Sequence, residues 1–138
     1  MRAPYHQLFL HLVWSTYSRQ PLLHPSIEPR LYACIASICR EAGCEPLAIG
    51  GVEDHVHILV RFTPTVAIWK LTKDIKGATS HLMTHELRPG IFFKWQGGYG
   101  AFTVQKSGIP KAVAYIQGQR EHHKDGQVWT EWENWDTF

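Results

Sequence analysis

Residues 50–62 read GGVEDHVHILVRF, with two histidines one residue apart inside an apolar run. Alternation assigns His55 to Phe62 to a strand, because successive side chains of a strand point to opposite faces. Val56, Ile58, Val60 and Phe62 then form the face that packs under helices. His55 and His57 share the other face, with Cα atoms roughly 6.5–7 Å apart. Upstream, Glu45 to Val52 reads as a second strand, and Glu53-Asp54 as the tight turn of a hairpin. A core strand gains nothing from two adjacent imidazoles. Either they are half-exposed polar residues, or together they hold one divalent ion.

Working outward, residues 5–17 (YHQLFLHLVWSTY) alternate as a long strand. Leu8, Leu10, Leu12 and Trp14 lie on one face, and Phe9, His11 and Val13 on the other. Pro21 and Pro25 mark a connection, and Ser26 is placed to cap a helix over 27–42. Its buried stripe is Ile27, Leu31, Ile35, Ile38 and Cys39, and Gly43 ends it. Beyond the hairpin, Pro64 and Thr65 open a second helix over 66–86, stopped by Pro89-Gly90. Glycines 97, 98 and 100 lead into a strand over 101–105, and a third helix starts near Pro110 and runs through 123. Strand, helix, strand, strand, helix, strand, helix is the order of an α+β ferredoxin-like sandwich: a four-stranded antiparallel sheet with helices on one face, plus a C-terminal helix. Nothing repeats internally and no linker divides the chain, so residues 1–138 read as one domain.

At 138 residues, 44% hydrophobic and 19% charged, such a chain can build its own core and is not of the disordered class. A net charge of +2 permits nucleic-acid binding without arguing for it, since the local field decides. Cys34, Cys39 and Cys44 are odd in number and lack a C-x-x-C pair, which fits neither a disulfide framework nor a zinc knuckle. They read as small apolar residues in a reducing compartment. With no secretory h-region and no run of about 18 apolar residues, a cytoplasmic location is expected.

The third helix carries Tyr115 and Gln119, four residues apart and so on one helical face. Alone, the pair reads as a core tyrosine beside a solvent-facing glutamine. Beside His55-Val56-His57, in a chain of this size and element order, it reads as chemistry.

Five segments in order carry a family resemblance: HLVWST (11–16) followed by Pro21-Leu22, DHVHILV (54–60), KGATSH (76–81), FKWQGGYGAFTV (93–104) and YIQGQREHH (115–123). Over nearly its whole length the chain resembles the small single-tyrosine transposases of bacterial and archaeal insertion sequences, within the HUH endonucleases. The resemblance implies a DNA transposase that cleaves and rejoins single-stranded DNA at hairpin-bearing element ends through a 5′-phosphotyrosine intermediate. Tyr115 would be the nucleophile, and His55, His57 and Gln119 the ligands of Mg²⁺ or Mn²⁺. Cleavage at two element ends implies two tyrosines held at once, hence a homodimer, whose active site in relatives can combine the tyrosine helix of one subunit with the histidines of the other.

Phosphate contacts are expected from Lys70, Lys73 and Lys76 on the second helix, with Arg61 and Lys94; the alternative is an ordinary solvated face. Trp69 and Trp95 offer base stacking or, as the favoured reading, core packing. His81 and His85 are spaced as ligands but lack a third beside them. His122 and His123 follow Gln119 near the metal face, with His122 retained beside the ligands. Asp54 either orients a histidine through its second nitrogen or serves the turn, the turn being favoured. Asp125 and the acidic, aromatic tail receive no role. Two other readings stay open: a domesticated hairpin-nicking relative, and a non-catalytic ferredoxin-like nucleic-acid-binding module. The latter expects aromatics on the central strands, where this chain has histidines.

Overall fold

In the computed structural model, which describes residues 4–120, the first strand β1 (Leu8–Ser15) is central. It pairs antiparallel with β3 (His55–Phe62) on one side and with β4 (Gly100–Thr103) on the other. β2 (Glu45–Val52) forms the hairpin with β3, giving the sheet order β2-β3-β1-β4. Helices α1 (Glu28–Glu41) and α2 (Ile68–Leu82) pack on each other and on one face of the sheet. The short helix α3 (Ile109–Gln117) packs against β2 and β3 from the other face. This is the expected ferredoxin-like α+β sandwich with an added C-terminal helix.

Strand alternation explains the two layers. Leu10, Leu12 and Trp14 of β1 join Val56, Ile58 and Val60 of β3 under α1 and α2, in a core completed by Leu31, Ile35, Leu71 and Ile75. On the reverse face Leu59 and Ala48 meet Ala112, Tyr115 and Ile116 of α3. Gly50 is what lets α3 lie there. A Cβ on Gly50 would stand 2.0 Å from the Ile116 carbonyl oxygen, so this residue type sets how closely the helix approaches β2.

Several local expectations need correction. Ser26 does not cap α1; a 3₁₀ turn, Pro25–Ile27, comes first, and His24 accepts the Ser26 amide at 3.1 Å. Pro29 sits in the first turn of α1, where its missing N–H costs nothing. Gly43 follows α1 at φ +81°, the left-handed turn expected of it. The second helix starts two residues late, at Ile68, and its C-terminal end widens into a π turn, Met83–Leu87. The third helix is unbroken over Ile109–Gln117; Gly118 interrupts it with φ −96° and ψ 21°, helical backbone resumes at Gln119 and Arg120, and the rest of the range expected through 123 lies outside the described residues. The strand placed at 101–105 spans Gly100–Thr103. All three cysteines are free, and burial pushes the Cys39 thiol up to about 12. Among the described residues no helix is long and apolar enough to cross a membrane. His122, His123, Asp125 and the aromatic tail lie outside the described residues.

Candidate active site

His55 and His57 emerge from β3 on the α3 side of the sheet and are both buried. Their rings sit 5.0 Å apart between centroids, at 73°. Pairing of β1 with β3 sets Ser15 opposite His55, Val13 opposite His57 and His11 opposite Leu59, so His11 faces the same way one step along. His11 Nε2 lies 2.7 Å from His57 Nδ1, and Asp54 Oδ1 lies 2.7 Å from His55 Nδ1. Both Nδ1 atoms are thereby engaged, which turns Nε2 into the nitrogen each ring can offer as a lone pair. That requires the His57 proton to sit on Nδ1 and be donated to His11, and the His55 proton to be donated to the Asp54 carboxylate. Asp54 therefore holds a histidine as well as serving its turn, against the expectation that favoured the turn alone.

Tyr115 comes down from α3 with its ring edge-on to His57, centroids 6.0 Å apart at 89°. Gln119 follows just past the irregular Gly118. Its amide nitrogen donates to the Tyr115 carbonyl at 3.3 Å, and its buried Oε1 accepts no hydrogen bond among the described residues. A buried amide oxygen left this way costs free energy unless something uses it. Among the described residues no group of three or more His, Cys, Asp or Glu side chains is arranged for a metal. A metal here would be held by two imidazoles and this amide oxygen. The donor set fits: neutral ligands with correctly engaged second nitrogens and an unsatisfied oxygen.

At the His55 end of β3 an open cleft of about 770 Å³ is lined by Arg19, Pro21, Val52, Glu53, Asp54, His55 and Arg120. Arg19 reaches within 3.9 Å of Asp54 Oδ2. Arg120 donates to Glu28 of α1 and to Glu53 of the hairpin turn, so the end of the Tyr115 segment is tied to two other elements. A backbone N–H, then Arg120, holds the Glu53 carboxyl below the usual range.

The lysines chosen from sequence fall elsewhere. α2 covers the sheet face opposite the histidines. Lys70 pairs with Asp74 at 2.7 Å. Lys73 is exposed. Lys76 donates to the carbonyls of Gln96 and Gly98 at 2.9 and 2.6 Å, where burial lowers its pKa to about 8. Arg61 lies six residues along β3 from His55, roughly 20 Å away, in a depression with Tyr5, His6 and Glu45. Lys94 sits over the Tyr17 ring, 4.9 Å from its centroid. Trp95 is buried and its indole N–H donates to Thr79 Oγ1 at 2.9 Å, whereas Trp69 is 59% exposed, which corrects its assignment to the core. His81 and His85 stack 4.3 Å apart on the surface with no third ligand described beside them.

His11, Arg19 and Arg120 were not singled out from sequence. For His11 a signal existed: it occupies the β1 face opposite the helices, the face on which the β3 histidines also lie.

A strand-borne histidine pair thus meets a helix-borne tyrosine on one side of the ferredoxin-like sheet. The model of the family described as "Transposase IS200 like" matches residues 4–119, and the chain belongs to that family of transposases. It is 27% identical over 125 residues to the ISDra2 transposase TnpA of Deinococcus radiodurans, covering 87% of this chain and 89% of the relative. Among solved structures it is similar to a Deinococcus radiodurans R1 protein described as a transposase, with TM-score 0.68, 27% identity, and 86% and 95% of the two chains covered. A REP-associated tyrosine transposase solved with a REP hairpin shares the fold at TM-score 0.65 and 18% identity, over 93% of this chain and 74% of that one.

Proposed function

We propose that this chain cleaves and rejoins single-stranded DNA at hairpin-bearing element ends, with Tyr115 as nucleophile and His55, His57 and Gln119 as ligands of Mg²⁺ or Mn²⁺. The observation carrying it is the site itself: two imidazoles with their Nδ1 atoms engaged, a buried Gln119 Oε1 that accepts no hydrogen bond among the described residues, and Tyr115 against His57. In the reaction, Tyr115 Oη attacks the scissile phosphorus, the bond from phosphorus to the 3′-oxygen breaks, and the products are a 5′-phosphotyrosine and a free 3′-hydroxyl. The phenolic proton leaves and the departing 3′-oxygen takes one up, so the step is proton-neutral overall. A bound divalent ion supplies Lewis-acid polarisation of the phosphate and offsets charge on the leaving oxygen. A neutral phenol is a weak nucleophile until such help is present. His11 and Asp54 keep the two imidazoles in the ligating tautomer. Because the ester conserves the energy of the broken bond, attack by a different 3′-hydroxyl reseals DNA without ATP. Two ends need two tyrosines, and a homodimer provides them.

The test is covalent trapping. Labelled single-stranded oligonucleotides from DNA flanking the gene are mixed with protein and Mn²⁺ and run on denaturing gels. The expected result is an adduct that requires metal, is absent with duplex DNA, and is lost in Tyr115→Phe while hairpin binding stays within about twofold. A Tyr115→Phe protein that still forms the adduct would sink the assignment.

A further inference from the structure

The chain leaving β1 turns through Thr16 to Gln20 in a conformation that side chains normally avoid. Ser18 and Arg19 are consecutive non-glycine residues at φ 51° and 49°. The turn is held from several directions. Arg19 N donates to Thr16 O at 3.0 Å and Gln20 N to Tyr17 O at 3.1 Å. Thr16 Oγ1 donates to Gln20 O at 2.6 Å, and Ser18 N to Gln96 Oε1 at 3.3 Å. Backbone kept in so unusual a shape by its surroundings marks a place where side-chain position matters.

Alongside it runs an extended segment, fixed by Tyr17 N to Lys94 O at 2.9 Å and by the bridge of Thr16 with Trp95. Alternation sorts that segment. Trp95 is buried in the core and Phe93 packs against it, while Phe92 and Lys94 are exposed. Phe92 and Tyr17 are 58% and 41% exposed, with rings 6.4 Å apart at 75°. The Lys94 ammonium sits over the Tyr17 ring. At the other end of the same turn, Arg19 lines the cleft that opens on His55. Exposed rings, two cations and continuity with the cleft thus meet in one surface. Large aromatics left in solvent beside cations suit a partner with flat faces and a negative backbone.

We propose that Tyr17 and Phe92 stack an unpaired base of single-stranded DNA next to the cleft, with Lys94 and Arg19 on its flanking phosphates. This deepens the reading of the cleft as a single-stranded DNA site and rests on it. Stacking is sequence-tolerant, since every base has a π face, so the surface guides the strand rather than reading it. An incoming base would displace the Lys94 ammonium from the ring towards the adjoining phosphate.

The test is equilibrium binding of the full chain in EDTA, by fluorescence anisotropy. The probes are a 15-nucleotide oligothymidylate and an abasic backbone of equal length and charge. Wild type is expected to prefer the base-bearing strand about tenfold. Tyr17→Ala with Phe92→Ala should abolish the preference and leave abasic binding within about twofold. Tyr17→Trp with Phe92→Trp should keep it, which separates stacking from a general loss of fold. Lys94→Ala should weaken both strands alike and flatten the salt slope by roughly 0.7. A wild type without preference, or a double-alanine variant that retains it, overturns the proposal. Because no chemistry occurs in EDTA, a missing Tyr115 adduct would defeat the catalytic reading and leave this result to stand or fall alone.

Discussion

His11 shows how one side chain can govern another's chemistry. Its Nε2 lies 2.7 Å from His57 Nδ1 in a buried setting, where a hydrogen bond fixes tautomer and ring orientation together. If His57 is a ligand, removing that acceptor lets the ring tilt and the proton move to the wrong nitrogen. His11→Leu is therefore expected to raise the Mn²⁺ concentration for half-maximal adduct about tenfold or more. His11→Gln, which keeps an acceptor, should recover part of the loss. A metal titration distinguishes this from damage to the fold, which would lower the amount of adduct at every metal concentration; an unmoved midpoint would show that His11 does not position His57. The His-Val-His spacing was legible because strand alternation alone puts both rings on one face. His11 was legible only as a residue on a face. Its contact with His57 depends on the pairing register of two strands 46 residues apart, which no local pattern specifies.

At the scale of elements, the position of α3 hangs on Gly50. The Cβ clash there is with backbone, the Ile116 oxygen at 2.0 Å and carbon at 2.9 Å, so no rotamer change relieves it. Gly50→Ala must push α3 off the sheet, and Tyr115 moves with it. Adduct formation should fall on the order of a hundredfold, since misplacing a reacting group by about 1 Å has that effect. Stability should drop by about 1–3 kcal/mol. Gly77→Ala is the matched control: it lies in α2 with nothing within 4 Å of the added carbon. It should stabilise by about 1 kcal/mol and leave the adduct unchanged. Urea midpoints and trapping rates check both. Equal effects of the two substitutions would mean that α3 tolerates the shift. Element order and sheet class were readable from periodicity, whereas the interruption of the third helix at Gly118 was not. Its apolar pattern runs smoothly through Tyr115 and Ile116, and a lone glycine in a helical pattern is often tolerated. Here Gly118 departs from helical geometry at φ −96°, ψ 21°, and helical backbone resumes with Gln119, which donates to the Tyr115 carbonyl, and Arg120, which reaches Glu28 and Glu53.

Across the whole molecule, among the described residues, the two faces of the sheet are unequally anchored: sixteen buried residues form the core under α1 and α2, and five form the cluster under α3. Free energy of local opening follows buried apolar contact, so α3 is expected to come away at a lower cost than the sheet it covers. The proposed function gives such opening a purpose. Tyr115 is only 1% exposed, so if it is the nucleophile its hydroxyl must be uncovered before a phosphodiester can reach it. The ties from Arg120 to Glu28 and Glu53 oppose release and are partly solvent-exposed, so salt should weaken them. Native-state hydrogen exchange tests this directly. Amides of residues 113–117 should exchange at least tenfold faster than those of residues 56–60, and the gap should widen at high salt. Arg120→Ala should widen it at low salt and remove most of the salt effect. Equal protection on both faces would mean that α3 opens only with the whole domain, and the proposed attack by Tyr115 would then need some route other than lifting the helix that carries it.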